Sequence, residues 1–161
     1  MKNIIFGIVL VVIVLGGLYL LPKGDKKIDD QLVKVNASIV ANETLYDFGE
    51  IGINDGKVTT DFILSNTGEE DVTILSGTTS CGCTTGQIGG IEFGMHEGMN
   101  REFIIRANST TTLKVVYDPL AHGPSGVGLA QRSVYLKTNS TVTPEIEVRV
   151  KAMVLNKKIT E

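Results

Sequence analysis

The chain has 161 residues, a formal net charge of −3 and a calculated pI near 5.4. That length accommodates one membrane segment and one domain of ordinary size. The mildly acidic balance argues against a nucleic-acid partner, because nucleic-acid binding needs a basic surface.

The amino-terminal stretch, residues 4–21, is apolar apart from its glycines and one tyrosine. Its length lies at the lower edge of what crosses a bilayer as a helix. A cleaved signal peptide is the alternative, but Leu18–Pro22 offers no pair of small residues at which cleavage would occur. We therefore expect residues 1–22 to form an uncleaved single-pass helix that anchors the protein in the cell membrane.

Charged residues around the apolar segment give a mixed signal on topology. Lys23, Lys26 and Lys27 come after the segment and only Lys2 precedes it, which mildly favours a cytoplasmic carboxy-terminal domain. Aspartates surround those three lysines, however, and a short amino-terminal anchor ordinarily exports the domain on its carboxy-terminal side. We expect an extracytoplasmic domain that a polar linker, residues 23–42, holds away from the membrane.

Residues 43–156 are predicted to form one β domain. Apolar and polar residues alternate most clearly in Lys57–Asn66, Thr111–Tyr117 and Glu145–Leu155, and this period of two marks half-buried strands. Thr84–Asn100 is glycine-rich and is expected to be a long loop with one short strand. Seven to eight short strands without a helix predict an immunoglobulin-like β-sandwich. The expected strands are 45–48, 57–66, 71–76, 88–93, 101–106, 111–117, 132–138 and 145–155.

Both cysteines of the chain, Cys81 and Cys83, lie in the segment Ser80–Thr84 between two expected strands. Two thiolates this close can chelate a soft metal or oxidise together. A Cys-x-Cys disulfide closes a small ring that is hard to form without strain, and a strained bridge is easily reduced. The pair therefore suits metal ligation, which we favour, or reversible redox chemistry better than a structural role. Two inert thiols at a strand end are the remaining interpretation.

Two further loops carry soft or nitrogen ligands. One contains Met95, His96 and Met99, and the other contains His122, the second of only two histidines in the chain. Imidazole and thioether are copper ligands, whereas four nitrogen and sulfur ligands suit Zn(II). Ordinary turn histidines and gap-filling methionines are the alternatives. We predict a metal site, with copper favoured over zinc, formed by Cys81, Cys83, His96 and His122 with Met95 or Met99 as a weaker ligand.

Several short motifs in fixed order resemble a family of exported bacterial domains known only as a conserved domain of unknown function. The specific motif is Ser80-Cys81-Gly82-Cys83-Thr84, and the weaker ones are Asp47-Phe48-Gly49, Asn66-Thr67-Gly68, Thr112–Pro119 and Leu136–Asn139. The resemblance covers about residues 43–155. It implies an exported Ig-like sandwich akin to the ASH, Hydin and major-sperm-protein domains, and it implies no established activity.

Catalytic motifs are missing from the sequence. It contains no Gly-x-Ser-x-Gly, no phosphate-binding glycine loop before a helix and no His-Glu-x-x-His. We therefore expect a non-enzymatic domain without a small-molecule substrate, which binds a soft metal. A metal-free module that binds a protein partner and a thiol redox partner are the alternatives, because the fold alone does not decide between them.

Overall fold

The structure, a computed structural model, describes residues 33–156, so the expected membrane anchor at residues 1–22 lies outside the described residues. Within residues 33–156, no helix is long and apolar enough to cross a membrane. Ten strands make up most of this part of the chain. They are β1 (Ile39–Ala41), β2 (Leu45–Gly52), β3 (Val58–Asn66), β4 (Val72–Thr79), β5 (Thr84–Ile88), β6 (Ile91–Phe93), β7 (Phe103–Ile105), β8 (Thr110–Tyr117), β9 (Gly128–Thr138) and β10 (Glu145–Leu155).

The strands form two five-stranded sheets. The first sheet has the order β1-β3-β8-β5-β6, and the second has the order β2-β10-β9-β4-β7. Neighbouring strands are antiparallel except for β2 and β10, which pair in parallel. This confirms the predicted all-β, immunoglobulin-like class, with ten strands in place of the seven to eight expected.

The alternation read from the sequence determines which side of each strand is buried. In β3 the side chains of Phe62 and Leu64 are fully buried, and Phe62 lies opposite Leu113 of β8. In the second sheet Val134 of β9 lies opposite Val148 of β10, and both are fully buried. Because successive side chains of a strand point to opposite faces, these positions form one apolar layer between the sheets.

The expected long loop at Thr84–Asn100 contains a β-hairpin instead, so that prediction was incomplete. Strands β5 and β6 pair through a two-residue turn, Gly89–Gly90, whose φ angles are 55° and 78°. A tight hairpin turn with two positive φ angles strongly favours glycine, and Gly-Gly is one of its sequence signals. The apolar residues of the short strands were too few to show alternation clearly.

The domain also begins earlier than residue 43. Val35, Ala37 and Ile39, which were expected to belong to the linker, are buried in the core, and β1 pairs with β3. Their spacing of two among polar neighbours is a strand pattern. Burial of these residues removes three apolar side chains from water, which favours a folded segment over a solvated linker at residues 35–39.

Strand β9 separates two ends of the sandwich. At one end, close to the carboxy-terminal end of β9, Val35 forms an isolated bridge with Ser140 in the turn after this strand. Toward the other end, which we call the cysteine end, Arg132 of β9 contacts Cys83. The six steps from Arg132 to Thr138 correspond to about 20 Å along an extended strand.

We predict that Gly86→Ala destabilises the domain by about 1–3 kcal/mol. A Cβ atom at Gly86 would lie 2.4 Å from the Phe93 ring, which is buried between the sheets. The matched control is Gly94→Ala, whose Cβ would have no neighbour closer than 3.8 Å. Urea unfolding of both variants measures the difference. An equal, small effect of both substitutions would contradict this packing.

Candidate functional site

The two cysteines lie in the short crossover from the second sheet to the first. β4 ends at Thr79 and β5 begins at Thr84, so only residues 80–83 make the passage. On one side the Ser80 amide donates to the Ser133 carbonyl, and the Ser133 amide donates to Ser80 Oγ, both at 2.9 Å. On the other side the Asp118 amide donates to the Cys83 carbonyl at 2.9 Å. The crossover is therefore attached to both sheets.

A buried threonine stabilises the crossover through contacts with its carbonyl groups. Thr79 is almost fully buried, and its Oγ1 lies 3.0 Å from each of the carbonyl oxygens of Cys81 and Thr84. The Thr84 amide donates to the Cys81 carbonyl at 3.1 Å, which closes a tight turn around Gly82. Burying polar backbone atoms requires such partners. Thr79, together with Ser80 and Thr84 of the motif, thus fixes the conformation of the segment that carries the sulfurs.

Cys81 and Cys83 form a disulfide bond, with their Cα atoms 5.2 Å apart. The disulfide is one of the alternatives drawn from the sequence. In this oxidised form neither sulfur is a thiolate, so ligation of a soft metal by the pair requires its reduction. The metal site therefore stays a prediction for the reduced protein.

A histidine and an arginine side chain contact the disulfide, one at each sulfur. His122 Nε2 lies 3.0 Å from Cys81 Sγ. Arg132 Nε donates to Cys83 Sγ at 3.0 Å. His122 is exposed in the loop after β8, whereas Arg132 is half-buried on β9. The two sulfurs consequently have different surroundings.

Arg132 is the functional candidate that the sequence reasoning missed. Its Nη1 donates to the Gln131 carbonyl at 2.8 Å, and its guanidinium carbon lies 6.0 Å from the centre of the Tyr117 ring. A signal was available, because Arg132 has the same parity as the inward positions Val134 and Leu136 of its strand. An arginine at an inward position needs partners for its charge.

Tyr117 lies under this arginine and is nearly buried. Burial raises the pKa of the Tyr117 hydroxyl above its ordinary value, and the charge of Arg132 partly opposes that rise. The phenol therefore stays neutral near pH 7. It provides an aromatic face for the guanidinium rather than a charge partner.

The structure brings together three of the predicted ligand residues. Within the described residues 33–156, Cys81, Cys83 and His122 form a group whose ligand atoms all lie within 4.8 Å of one another. Their donor set, two sulfurs and one imidazole nitrogen, suits a soft metal ion once the sulfurs are thiolates. The structure thus places His122 beside the cysteine loop, whereas ligation of a metal by His122 stays a prediction.

His96, Met95 and Met99 lie outside that group. His96 is exposed, and its ring is 4.0 Å from the position that a Cβ atom on Gly82 would occupy. His96 and Met95 line a cleft of about 270 Å³ beside the crossover, whereas Met99 is half-buried against the apolar core. The loop after β6 therefore lies next to the cysteine segment.

Comparisons with solved structures show the fold. A protein of unknown function from Porphyromonas gingivalis W83 aligns with a TM-score of 0.58 and 18% identity, covering 73% of this chain and 47% of that one. The chain therefore spans about half the length of that relative. A family 123 glycoside hydrolase from Clostridium perfringens aligns with a TM-score of 0.52 and 8% identity, over 77% and 28% of the two chains. The ASH/PapD-like domain 7 of human CEP192 aligns at 0.48 and 8% identity, over 74% and 87%.

Sequence comparison provides the family. No protein of curated function matches the chain. Residues 39–154, most of the described domain, match a family whose description is "Protein of unknown function (DUF1573)". The match includes the crossover with its two cysteines and the strands that carry His122's loop and Arg132. The chain therefore belongs to the DUF1573 family.

Proposed function

We propose that this protein is a non-enzymatic, extracytoplasmic Ig-like domain, anchored in the cell membrane by residues 1–22, that binds one Cu(I) ion when its cysteine pair is reduced. The observation that carries the proposal is the proximity of the ligand atoms of Cys81, Cys83 and His122, all within 4.8 Å of one another. The anchor and its topology rest on the apolar segment at residues 4–21.

The donor set favours Cu(I) over Zn(II). A structural zinc site uses four ligands, whereas soft thiolates select Cu(I), which is satisfied with fewer ligands. Two thiolates and Cu(I) carry a net charge of minus one. Arg132, whose Nε donates to Cys83 Sγ, offsets that negative charge.

Binding of a protein partner is the second candidate function. Leu129 of β9 and Met153 of β10 lie directly opposite each other on the second sheet, and both side chains are exposed. Paired exposed apolar residues are a feature of protein contact surfaces. This function would not need the thiols, so variants that lack both cysteines would retain it.

For the metal site we expect reduced, anaerobic full-length protein in detergent to bind Cu(I) with one-to-one stoichiometry against a competing chelator. The double variant Cys81→Ser/Cys83→Ser should lose this binding because it has no thiolate. Zn(II) titrated in the same way should bind more weakly, since the cluster supplies three ligands and not four.

The two histidines provide a matched pair of controls for that titration. His122→Ala should weaken Cu(I) binding at least tenfold, because it removes one of the three ligands. His96→Ala should leave the affinity within a factor of two, because His96 lies outside the cluster. Binding by the wild type that does not exceed binding by the cysteine double variant would refute the metal proposal.

We also expect that reduction leaves the fold intact, as metal binding by the pair requires. The disulfide joins residues only two positions apart, so it restricts the unfolded chain little. Chemical denaturation with and without dithiothreitol should differ by less than about 2 kcal/mol. Loss of the cooperative unfolding transition on reduction would show that the folded domain requires the disulfide.

A further inference from the structure

Both cysteines of the disulfide are buried, but Cys83 is covered more completely than Cys81. Cys81 is 9% exposed and its sulfur contacts the exposed ring of His122. Cys83 is 3% exposed, and its sulfur lies against the half-buried Arg132, with Thr84 Oγ1 at 3.7 Å. An incoming group can therefore approach Cys81 when the exposed His122 side chain moves aside, whereas Arg132 and Thr84 cover Cys83.

Cys83 Sγ has the donor that best stabilises negative charge, because the guanidinium of Arg132 is always cationic. Cys81 Sγ also accepts a hydrogen bond, from the Cys83 amide at 3.1 Å, but that donor is neutral. When a disulfide is attacked by a thiolate, the sulfur that is not attacked departs as a new thiolate. Arg132 Nε already donates to Cys83 Sγ at 3.0 Å, and charge-assisted hydrogen bonds of this kind stabilise an anion. The guanidinium is held in place by the Gln131 carbonyl and the Tyr117 ring, so it does not need to reorganise during the reaction.

We propose that Cys81–Cys83 is an exchange-active disulfide that accepts two electrons from the dithiol of a partner protein, with Cys81 as the attacked sulfur and Cys83 as the leaving group. The disulfide lies in the crossover between the two sheets, and a partner's cysteine pair would reach it by displacing the exposed side chain of His122. This activity stands independently of metal binding, because it uses the oxidised form of the pair and no metal ion.

The reaction proceeds in two balanced steps. A partner thiolate attacks Cys81 Sγ, the Cys81–Cys83 bond breaks, and Cys83 leaves as a thiolate beside Arg132. The partner's second thiol, after losing its proton, then attacks the partner's first sulfur, which is bonded to Cys81 in the mixed disulfide. Cys81 leaves as a thiolate, and the two thiolates of the domain take up two protons. The partner dithiol is oxidised to a disulfide, and the Cys81–Cys83 disulfide is reduced to two thiols.

Single-cysteine variants test which sulfur is accessible for exchange. Full-length Cys83→Ser retains Cys81, and full-length Cys81→Ser retains Cys83. With glutathione disulfide as the probe and a chelator present, the two rates are compared at a pH above which neither rises further, so that both cysteines react as thiolates. The Cys83→Ser variant should then form its mixed disulfide at least tenfold faster, as measured by mass spectrometry. Equal rates, or a faster reaction of the Cys81→Ser variant, would overturn the proposed polarity.

Arginine variants test stabilisation of the leaving group. In a glutathione redox buffer with chelator, Arg132→Gln should shift the equilibrium towards the disulfide at least threefold, because the reduced form loses the stabilising cation. Arg132→Lys should stay within a factor of two of the wild type, as should Arg106→Gln, a substitution of a solvent-exposed arginine that pairs with Asp71. An Arg132→Gln equilibrium equal to that of Arg106→Gln would refute the role of Arg132.

A third measurement keeps the proposal falsifiable if Arg132→Gln does not fold. The wild-type disulfide should be reduced by a protein dithiol, thioredoxin with its reductase, at a rate that is first order in thioredoxin. The chelator keeps the assay free of metal, so its outcome is separate from that of the Cu(I) titration. A disulfide that thioredoxin leaves intact would overturn the exchange activity even if Cu(I) binding is found.

Discussion

The short passage between the two sheets is the constraint on which the site depends. Packed sheets lie about 10 Å apart, and the four residues 80–83 can extend to at most about 14 Å. So little slack leaves few conformations open to this segment, and the hydrogen bonds from Ser133, Thr79 and Asp118 select one of them. Side chains in this segment are therefore attached to a restrained backbone although they belong to a loop. The position of the sulfurs is therefore a consequence of the fold's connectivity, and loops of this kind commonly carry function on a stable scaffold.

The arginine on β9 connects this passage to the core. A cation on the inward side of a sandwich is costly unless it has partners, and Arg132 has an aromatic ring, a carbonyl and a sulfur. Two of these three contacts would exist without the cysteines, so the arginine is held in place before the sulfur chemistry needs it. The same side chain offsets negative charge in both of the forms considered, a dithiolate that holds a metal ion and a departing thiolate. The oxidation state of the pair, and not a change of fold, would then determine which chemistry the site performs.

The sequence was sufficient to predict the fold class but not the composition of the site. Strands with clear alternation, such as β3 and β10, were recognisable because one face of each is buried. The β5–β6 hairpin was missed because strands of five and three residues show too little periodicity, and its Gly-Gly turn was the only local signal. The ligand loops posed a different problem. His96 is nearer to the cysteines in sequence, yet His122 contacts them, because strand pairing across β8 and β9 determines which loops meet.

The separation between the two ends of β9 has a consequence for how the sulfurs are presented. The chain enters the sandwich at Val35, next to Ser140, about 20 Å along β9 from the arginine that contacts Cys83. Val35 and the cysteine crossover therefore lie near opposite ends of the same strand, at a separation that the length of β9 fixes. A protein bound at the cysteines would contact the domain at a distance from Val35 and Ser140.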